Sequence, residues 1–460
     1  MSSPIETLPF ETLTAIIQFT PQIQDRLSLS STSKLLRRRL APLIFRTVIF
    51  SNRISISGSA LLAAKAHRDH IRVLQFIGCS TGLYEGHPYD VLPDSARSLF
   101  NADKELLPNL EQIRIKFEYN CENVDDFAGA EKYPMEGDIP SGDWLDIDQE
   151  DRLCRQTIRT LWSNTYTALS ETRAKSVQVV IENWSSNYGS TLETGAEWKR
   201  YLGTLDEFEV SLTASDILNW KVMTTLQGYP PEVASIHRVF FEHLTGIKRL
   251  RFGTGSMNMN DERFSMRPVR YIGVAGAFPW TNTGYVPFPL SCVAGEEECM
   301  PLLQEIELRD IYLSQGLVDF IASRKRLRKV VLSNAKSWSP YRSELSPWLD
   351  IDRDELSPWL DVDMDVYKRF YRKPLTWEEF FDSMCGVLEE EEEEEEEEEQ
   401  HRPRSALSGF VFTSREFGYD QFPTDCDASA RSSIAERDRT AHARFVQQME
   451  RRRERLRGIN

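Results

Sequence analysis

The first fifty residues place apolar side chains at spacings that predict three short helices. Leu13, Ile16 and Ile17 share one face of a first helix, behind Pro9 at a position that suits a first turn. A short second segment follows at 27–29. A third stripe has the i, i+4, i+7, i+8 spacing of one helix face and consists of Leu36, Leu40, Leu43 and Ile44. A segment this short is marginal as an independent fold, so we expect its spare apolar surface to be a docking surface.

The third helix of this segment has candidates for both of its ends. Ser31, Thr32 or Ser33 is expected to cap its N-terminus. Pro42 is expected to kink the helix or to separate its last turn. The β-branched stretch 46–50 that follows predicts a strand.

From residue 70 to residue 335, leucines or isoleucines three apart are repeatedly followed by a short alternating strand. The copies are Leu107, Leu110, Ile113 and Ile115; Leu202, Leu205, Phe208, Val210 and Leu212; Leu244, Ile247, Leu250 and Phe252; Leu303, Ile306 and Leu308; and Leu327, Val330 and Leu332. This spacing resembles the core of a leucine-rich repeat, whose neighbouring copies stack and bury a continuous core. The intervals are uneven, so we expect an irregular solenoid of the α/β class. An ordinary α/β domain is the alternative.

The tail combines a repeat, a charge run and two more predicted elements. Residues 344–350 are duplicated at 355–361, either as a pair of docking motifs or as a neutral loop expansion. A helix capped by Thr376 is predicted next. The run Glu389–Glu399 is expected to be an extended, solvated loop, because adjacent like charges repel. Residues 410–412 then predict one last strand.

A helix is predicted at the end of the chain, from about residue 433 to 457. Its last turns, 451–457, contain five arginines. These arginines are interpreted as a nuclear import signal, as a partner for the glutamate run, or as a solvated helix end. The domain boundaries that follow are 1–50, 51–340, 341–425 and 426–460.

Composition narrows the classes of protein that fit. The chain has 460 residues, of which 40% are hydrophobic, and this is enough for a sizeable core. Its net charge is −16, and removing the eleven charges of Glu389–Glu399 leaves about −5. The body therefore lacks the basic balance expected of a nucleic-acid binder. No apolar run reaches the ~18 residues of a membrane span. Residues 1–4 lack the basic and apolar regions of a signal peptide, so we expect none.

The sequence contains no constellation that predicts catalysis. His67 and His70 have no third metal ligand arranged with them, and Cys292 and Cys299 have no second pair. We therefore expect a protein that is not an enzyme and that binds no metal and no cofactor. Its seven scattered cysteines are expected to be reduced thiols, as in the cytoplasm or the nucleus.

The N-terminal residues resemble a known family. The ordered set is Leu8-Pro9-x-Glu11-x-Leu13-x-x-Ile16-Ile17, then Leu27-x-Leu29, then Ser33-Lys34 and a leucine-rich helix. It resembles an F-box over residues 5–50, and the stretch 41–48 is similar to F-boxes of filamentous fungi. The chain differs from many F-boxes in having Thr32 before the Ser-Lys pair and no tryptophan in the third helix.

The resemblance implies a three-helix module that binds the Skp adaptor of cullin-based ubiquitin ligases. The residues that it assigns to the adaptor surface or its support are Leu8, Pro9, Ile16, Ile17, Leu27, Leu29, Ser33 and Lys34. The expected function is that of a substrate-recognition subunit whose repeat domain binds an unknown protein target. The alternatives are an F-box scaffold that does not direct degradation, an amphipathic cap on the following domain, and an enzyme that uses the large domain.

Overall fold

The chain folds into two compact units of mixed α/β structure, Met1–Gln178 and Val179–Asn460. The computed structural model describes residues 8–9, 11–12, 15–16, 19, 23–79, 91–102, 105–118, 160–172, 174–182, 196–213, 236–254, 290, 293, 298–309, 311, 313–337, 375–397, 407–412, 418–419 and 428–459. The duplicated segment 344–361 lies outside these residues. None of the helices described is long and apolar enough to cross a membrane.

The first unit has helical residues at 11–12 and 15–16, within the predicted first helix, and continues with two further helices and with strands that pair in parallel. Its elements are α1 (Ile23–Thr32), α2 (Lys34–Ile44), β1 (Thr47–Ser51), α3 (Ile54–His67), β2 (Val73–Cys79), α4 (Asp94–Phe100), β3 (Gln112–Glu118) and a helical segment at 160–170. β1 pairs with β2, and β2 pairs with β3. The strand expected after residue 45 is thus confirmed as β1.

Aromatic side chains fill the core of the first unit. The rings of Phe50, Phe76 and Phe100 lie with centroids 5.0–5.3 Å apart in tilted and edge-to-face contacts. Phe117 extends this cluster to Trp162, with a centroid distance of 4.7 Å. Buried aromatic rings therefore pack the strands and helices of this unit together. Burial of each such side chain stabilises the folded state by about 1.5–3 kcal/mol.

β4 (Ser176–Glu182) contains the boundary between the units, and the second unit continues the parallel pattern. Its elements are α5 (Ala196–Leu202), β5 (Glu207–Thr213), a 3₁₀ helix (Phe241–His243), β6 (Arg249–Thr254), β7 (Glu305–Arg309), α6 (Gln315–Ser323), β8 (Lys329–Ser333), β9 (Lys336–Ser337), α7 (Trp377–Glu397), β10 (Gly409–Phe412), β11 (Gly418–Tyr419) and α8 (Ala428–Ile459). Neighbouring strands run in the order β5, β6, β7, β8, β10, all parallel. The predicted last strand at 410–412 is confirmed as β10.

The same backbone hydrogen bonds recur where one strand begins beside the next. The residue just before one strand accepts, through its carbonyl oxygen, two hydrogen bonds from the neighbouring strand that comes later in the chain. The donors are the N–H groups of the first residue of that later strand and of the residue before it. Lys248, for example, accepts from Gln304 N at 2.9 Å and from Glu305 N at 3.0 Å. The other carbonyl oxygens in this role belong to Arg46, Arg72, Asp206, Gln304 and Arg328. The starts of β2, β3, β6, β7, β8 and β10 are therefore each set by the neighbouring strand that precedes them in the chain.

α7 and α8 pack together in the second unit. Trp377, Phe380 and Phe381 of α7 are fully buried, and Phe381 lies 5.6 Å from Phe445 of α8 between ring centroids. Phe410 of β10 contacts Phe445 at 5.0 Å. The predicted C-terminal helix is confirmed and extends further at both ends than expected.

The extended loop predicted for the glutamate run is wrong for Glu389–Glu397. These residues continue α7 as helix. Glutamate is intrinsically a good helix former, and the amphipathic first half of α7 is already anchored by its buried aromatic side chains. Propagating a formed helix costs much less than nucleating one.

The start of α7 is fixed by two independent caps. Thr376 accepts from Glu379 N at 3.2 Å, and the Glu379 carboxylate accepts from Thr376 N at 2.9 Å, so the two form a capping box. This confirms Thr376 as the cap. Asp438 of α8 adds a third acceptor, 3.1 Å from Glu378 N.

Asp438 is almost completely buried, at 1% exposure. Burial raises its pKa from 3.8 to about 7, with the hydrogen bond from Glu378 N opposing the shift and the Glu378 carboxylate adding to it. The folded state therefore holds a proton that the unfolded state releases. The contribution of Asp438 to stability is complete below about pH 4 and falls as the pH rises to about 7.

We expect Asp438→Asn to raise the melting temperature at pH 8 by roughly 2–4 °C and to have little effect at pH 4. The amide oxygen still accepts from Glu378 N but carries no buried charge. Thermal unfolding followed by circular dichroism measures this difference. Asp382→Asn is the matched control, because Asp382 is an exposed acid on the same helix pair. An equal gain at pH 4 and pH 8 for Asp438→Asn would contradict the assignment.

Candidate docking surfaces

α1 and α2 pack against each other through a small apolar cluster. Leu36 and Leu40 are fully buried, and Leu29 and Ile44 pack against them. This cluster contains three of the four leucines and isoleucines of the predicted third stripe. The helical periodicity of that stripe is therefore confirmed over α2.

The junction between α1 and α2 is built from short polar side chains. Ser33 is extended, and its hydroxyl accepts from Leu36 N at 3.1 Å, so it is the N-cap among the three candidates. Ser31 and Thr32 instead donate back to carbonyl oxygens of α1, at 2.6 Å and 2.7 Å. α2 then runs through Pro42 to Ile44, so the predicted separation of its last turn is wrong.

The structure places the predicted adaptor residues in different environments. Leu8, Ile16, Leu29 and Ser33 are half-buried, whereas Pro9, Leu27 and Lys34 are exposed. Leu29 lies in the cluster with Leu36 and Leu40, and Ser33 and Lys34 stand at the start of α2. Ile17 lies outside the described residues.

Two further leucines of α2 are exposed and were not among the residues assigned to the adaptor surface. Leu35 is 37% exposed and Leu43 is 41% exposed, values similar to the 40% of Leu27. Leu43 was part of the predicted third stripe, and Leu35 was not singled out. The signal for them was the surplus of leucine in α2, since Leu36 and Leu40 alone fill its buried face.

The end of α2 is joined to α3. The rings of Phe45 and His67 stack with a centroid distance of 3.4 Å and an angle of 10°. Burial lowers the pKa of His67, and the neighbouring His70 lowers it further. A neutral imidazole suits this stacked contact, so His67 has a packing role.

The outward face of the second unit's strands is a lattice of alternating charges. In register, Glu209 of β5 lies beside Arg251 of β6, which lies beside Glu307 of β7. The row before it contains Glu207, Arg249, Glu305 and Lys329. The inward positions of the same strands are buried apolar residues: Phe208, Val210, Leu250, Phe252, Ile306, Leu308, Val330 and Leu332.

Four of these charges close into a ring across three strands. Arg251 Nε lies 3.2 Å from Glu307, and Arg251 Nη1 lies 3.7 Å from Glu209. Arg309 Nε lies 2.8 Å from Glu307, and Arg309 Nη1 lies 3.3 Å from Glu209. Each carboxylate therefore contacts both arginines, and Glu209 is only 9% exposed.

The ring shifts the pKa values of two of its members, Glu307 and Arg309. Partial burial acts to raise the pKa of Glu307, but hydrogen bonds and charge from Arg309 and Arg251 outweigh it and hold the pKa below its ordinary value. The hydrogen bond to Glu307 raises the pKa of Arg309 in turn. Glu307 and Arg309 therefore remain charged at neutral pH, and the ring presents a polar surface. Arginine side chains of this kind are common in protein interfaces.

Gly253 makes the ring possible. It stands in register between Ser211 and Arg309, one row beyond Arg251. A Cβ atom at Gly253 would lie 2.6 Å from the Cβ of Arg309. The missing side chain therefore lets Arg309 reach across β6 to Glu209.

Six aromatic residues in segments outside the predicted strands are interpreted from the sequence either as target contacts or, more readily, as packing residues, and most of them lie outside the described residues. Trp198 is described and is 2% exposed, with its ring 5.7 Å from Tyr201. It is a packing residue. Trp184, Tyr188, Trp280, Tyr285 and Phe288 lie outside the described residues.

In the described part of the chain, no group of three or more His, Cys, Asp or Glu side chains is placed to hold a metal ion. No protein-family model matches this chain. No curated protein matches it with significant similarity. The function is therefore inferred from the residues themselves.

Gly253→Ala is expected to destabilise the second unit by about 1–3 kcal/mol, because the new methyl group overpacks the β6–β7 contact. Gly386→Ala is the matched control, since Gly386 lies in α7 with no atom within 4 Å of an added Cβ. It is expected to stabilise by about 0.5–1 kcal/mol. Urea unfolding followed by circular dichroism distinguishes the two. Equal effects of the two substitutions would show that Gly253 has no special role.

Proposed function

We propose that this chain is the substrate-recognition subunit of a cullin-based ubiquitin ligase, an F-box protein whose N-terminal helices bind a Skp-type adaptor. The observation that carries the proposal is the distribution of leucines over α1 and α2. Leu36 and Leu40 are fully buried between the helices, whereas Leu27, Leu35 and Leu43 are 37–41% exposed. A helix pair with its own core and a surplus of apolar surface suits a partner-binding module.

Three other residues of this N-terminal segment support the proposal. The Ser33 hydroxyl caps α2, and the exposed Lys34 opens that helix. Pro9 is also exposed. These are residues that the F-box resemblance assigns to the adaptor surface or its support, and they leave apolar and charged groups accessible together.

The remainder of the chain would bind the protein target. We propose that it is an irregular leucine-rich-repeat-like solenoid. The sequence-ordered parallel strands, the shared register and the recurring carbonyl hydrogen bonds support this architecture. The charge lattice on the outward strand face is a candidate surface for the target.

The mechanism is proximity. A receptor of this kind holds target lysines near the ubiquitin-carrying enzyme and so raises their effective concentration, without making or breaking a bond itself. This role needs no catalytic group, metal or cofactor in the chain. It would operate in the cytoplasm, the nucleus or both.

We expect Leu27→Ala combined with Leu35→Ala to weaken binding of a purified Skp-type adaptor by roughly tenfold or more, because each buried leucine contributes about 1.5–3 kcal/mol. Calorimetric titration of the full chain measures the dissociation constant. Both side chains are partly exposed, so the fold should tolerate the change.

Ile54→Ala combined with Leu62→Ala is the matched control. These side chains on α3 are 68% and 69% exposed, more than those of the test pair. The control variant should bind the adaptor like the unmodified chain. Equal affinities for all three proteins would mean that α1 and α2 are not the adaptor site.

A second measurement separates the ligase subunit from an adaptor-binding scaffold. With proteasome activity inhibited, proteins that co-purify with the full chain should be ubiquitylated, and the Leu27→Ala, Leu35→Ala variant should lose this signal. Adaptor binding without any ubiquitylated partner would favour the scaffold.

A further inference from the structure

We propose that the free edge of β1 binds an extended, acidic segment of another protein, which adds to the sheet as a further strand. β1 stands at the end of the strand order, and among the described strands it pairs only with β2. The segment would belong to the protein target, and in this identification the inference rests on the proposed function. The binding itself does not depend on the adaptor.

The hydrogen bonds between β1 and β2 show which backbone groups of β1 face β2. The carbonyl oxygen of Arg46 accepts from Arg72 N at 2.9 Å and from Val73 N at 3.0 Å. In a strand, the N–H and C=O of one residue point to the same edge, and successive residues alternate between the two edges. The even-numbered residues of β1 therefore face β2, as Arg46 does, and the odd-numbered residues face the opposite edge.

Thr47 and Ile49 consequently present two N–H groups and two carbonyl oxygens at the free edge. None of the backbone hydrogen bonds among the described residues engages these groups. Ile49 is 53% exposed and Thr47 is half-buried, whereas Ser51 is 4% exposed, so the accessible edge consists of Thr47 and Ile49. An unpaired edge of this kind is a template for another extended chain.

The strand itself lacks the features that usually protect an edge. Natural proteins block exposed edges with charged side chains, with proline or with a bulge, but residues 47–51 contain no charged residue, no proline and no glycine. Exposed arginines lie on either side of the strand instead, Arg46 before it and Arg53 after it. In the described part of the chain, neither arginine forms an ion pair.

Charge determines which kind of segment fits this edge. β1 lies within residues 26–68, which contain nine lysines and arginines and no acidic residue, although the whole chain has a net charge of −16. A second copy of the chain would bring an equally basic segment to the edge, and the like charges would oppose pairing. An acidic segment is complementary to it. The exposed cations of this stretch are Lys34, Arg37, Arg38, Arg39, Arg46, Arg53, Lys65 and Arg68.

The free backbone groups favour a polypeptide over a nucleic acid as the source of the negative charge. A nucleic acid would match the basic residues through its phosphates. It has no alternating amide and carbonyl groups with which to continue the sheet, and the groups of Thr47 and Ile49 would stay unused.

Titration of the full chain with a synthetic peptide tests the inference. The probe is a short peptide of alternating threonine and valine with glutamates at both ends, and the control peptide has lysines in place of the glutamates. We expect the acidic peptide to bind roughly tenfold or more tightly than the basic peptide at low salt. Equal affinities for the two peptides would overturn the proposal.

Methylation of the peptide's backbone nitrogens separates strand addition from simple charge attraction. The methylated acidic peptide keeps its charge and its side chains but donates no backbone hydrogen bonds. It should bind roughly tenfold or more weakly than the unmethylated peptide. If both bind equally, or if a single-stranded DNA oligonucleotide binds as tightly as the acidic peptide, the surface is a general polyanion site and strand addition is excluded. This comparison uses the unmodified chain.

Ile49→Pro removes an N–H group that faces the free edge and leaves the hydrogen bonds to β2 in place, because proline is tolerated where an edge N–H faces solvent. Ile49→Thr is the matched control, since threonine keeps the N–H group and the β-branched side chain. We expect Ile49→Pro to weaken binding of the acidic peptide by roughly tenfold or more and Ile49→Thr to bind like the unmodified chain. Equal affinities for both variants would contradict the role of the edge.

Two further measurements on the same proteins distinguish the remaining outcomes. Self-association of the unmodified chain that is abolished by Ile49→Pro, measured by analytical ultracentrifugation, would assign the edge to a second copy and overturn the proposal. Adaptor binding without binding of the acidic peptide would overturn this inference alone. Peptide binding without adaptor binding would overturn the proposed function and leave the strand-addition site in place.

Discussion

Paired hydrogen bonds at strand starts recur in both units of this protein, at β2 and β3 in the first and at β6, β7, β8 and β10 in the second. One carbonyl oxygen ahead of a strand accepts two successive N–H groups of the next strand, as Lys248 does with Gln304 and Glu305. This arrangement fixes where each of these strands begins relative to its neighbour. The alternation of buried and exposed side chains follows, because a shift of one residue would turn each apolar side chain outward. The charge lattice forms because the register places the outward-facing residues of neighbouring strands side by side.

The N-terminal helices obey a different constraint. α1 and α2 have little more than Leu29, Leu36, Leu40 and Ile44 between them. That cluster is enough to set the helices against each other but leaves three leucines in water. The stack of Phe45 on His67 then joins the helix pair to α3. A surface of this kind gains stability when a partner covers it, and this agrees with the role proposed for it.

Helical and strand periodicity could be predicted from the sequence, because each depends on local spacing. The stripe on α2, the cap at Ser33, the strand at β10 and the cap at Thr376 all follow from residues within a few positions of one another. The charge ring could not be predicted in the same way. Glu209 and Arg309 are 100 residues apart in the chain, and their meeting depends on register and on the absent side chain of Gly253. The glutamate run was assigned to a loop because repulsion within the run was considered without the buried aromatic side chains that anchor the first half of α7.

The sequence order of the strands has a consequence for how such a chain can change over evolution. β6 and β7 are joined by residues 255–304, and β7 and β8 by only 310–328, yet both pairs have the same register. Doubling a connection costs only about 0.6 kcal/mol in closure entropy. Connecting segments can therefore be inserted, deleted or replaced in evolution while the strand pairing is kept. The surface formed by these segments can diversify without any change in the sheet.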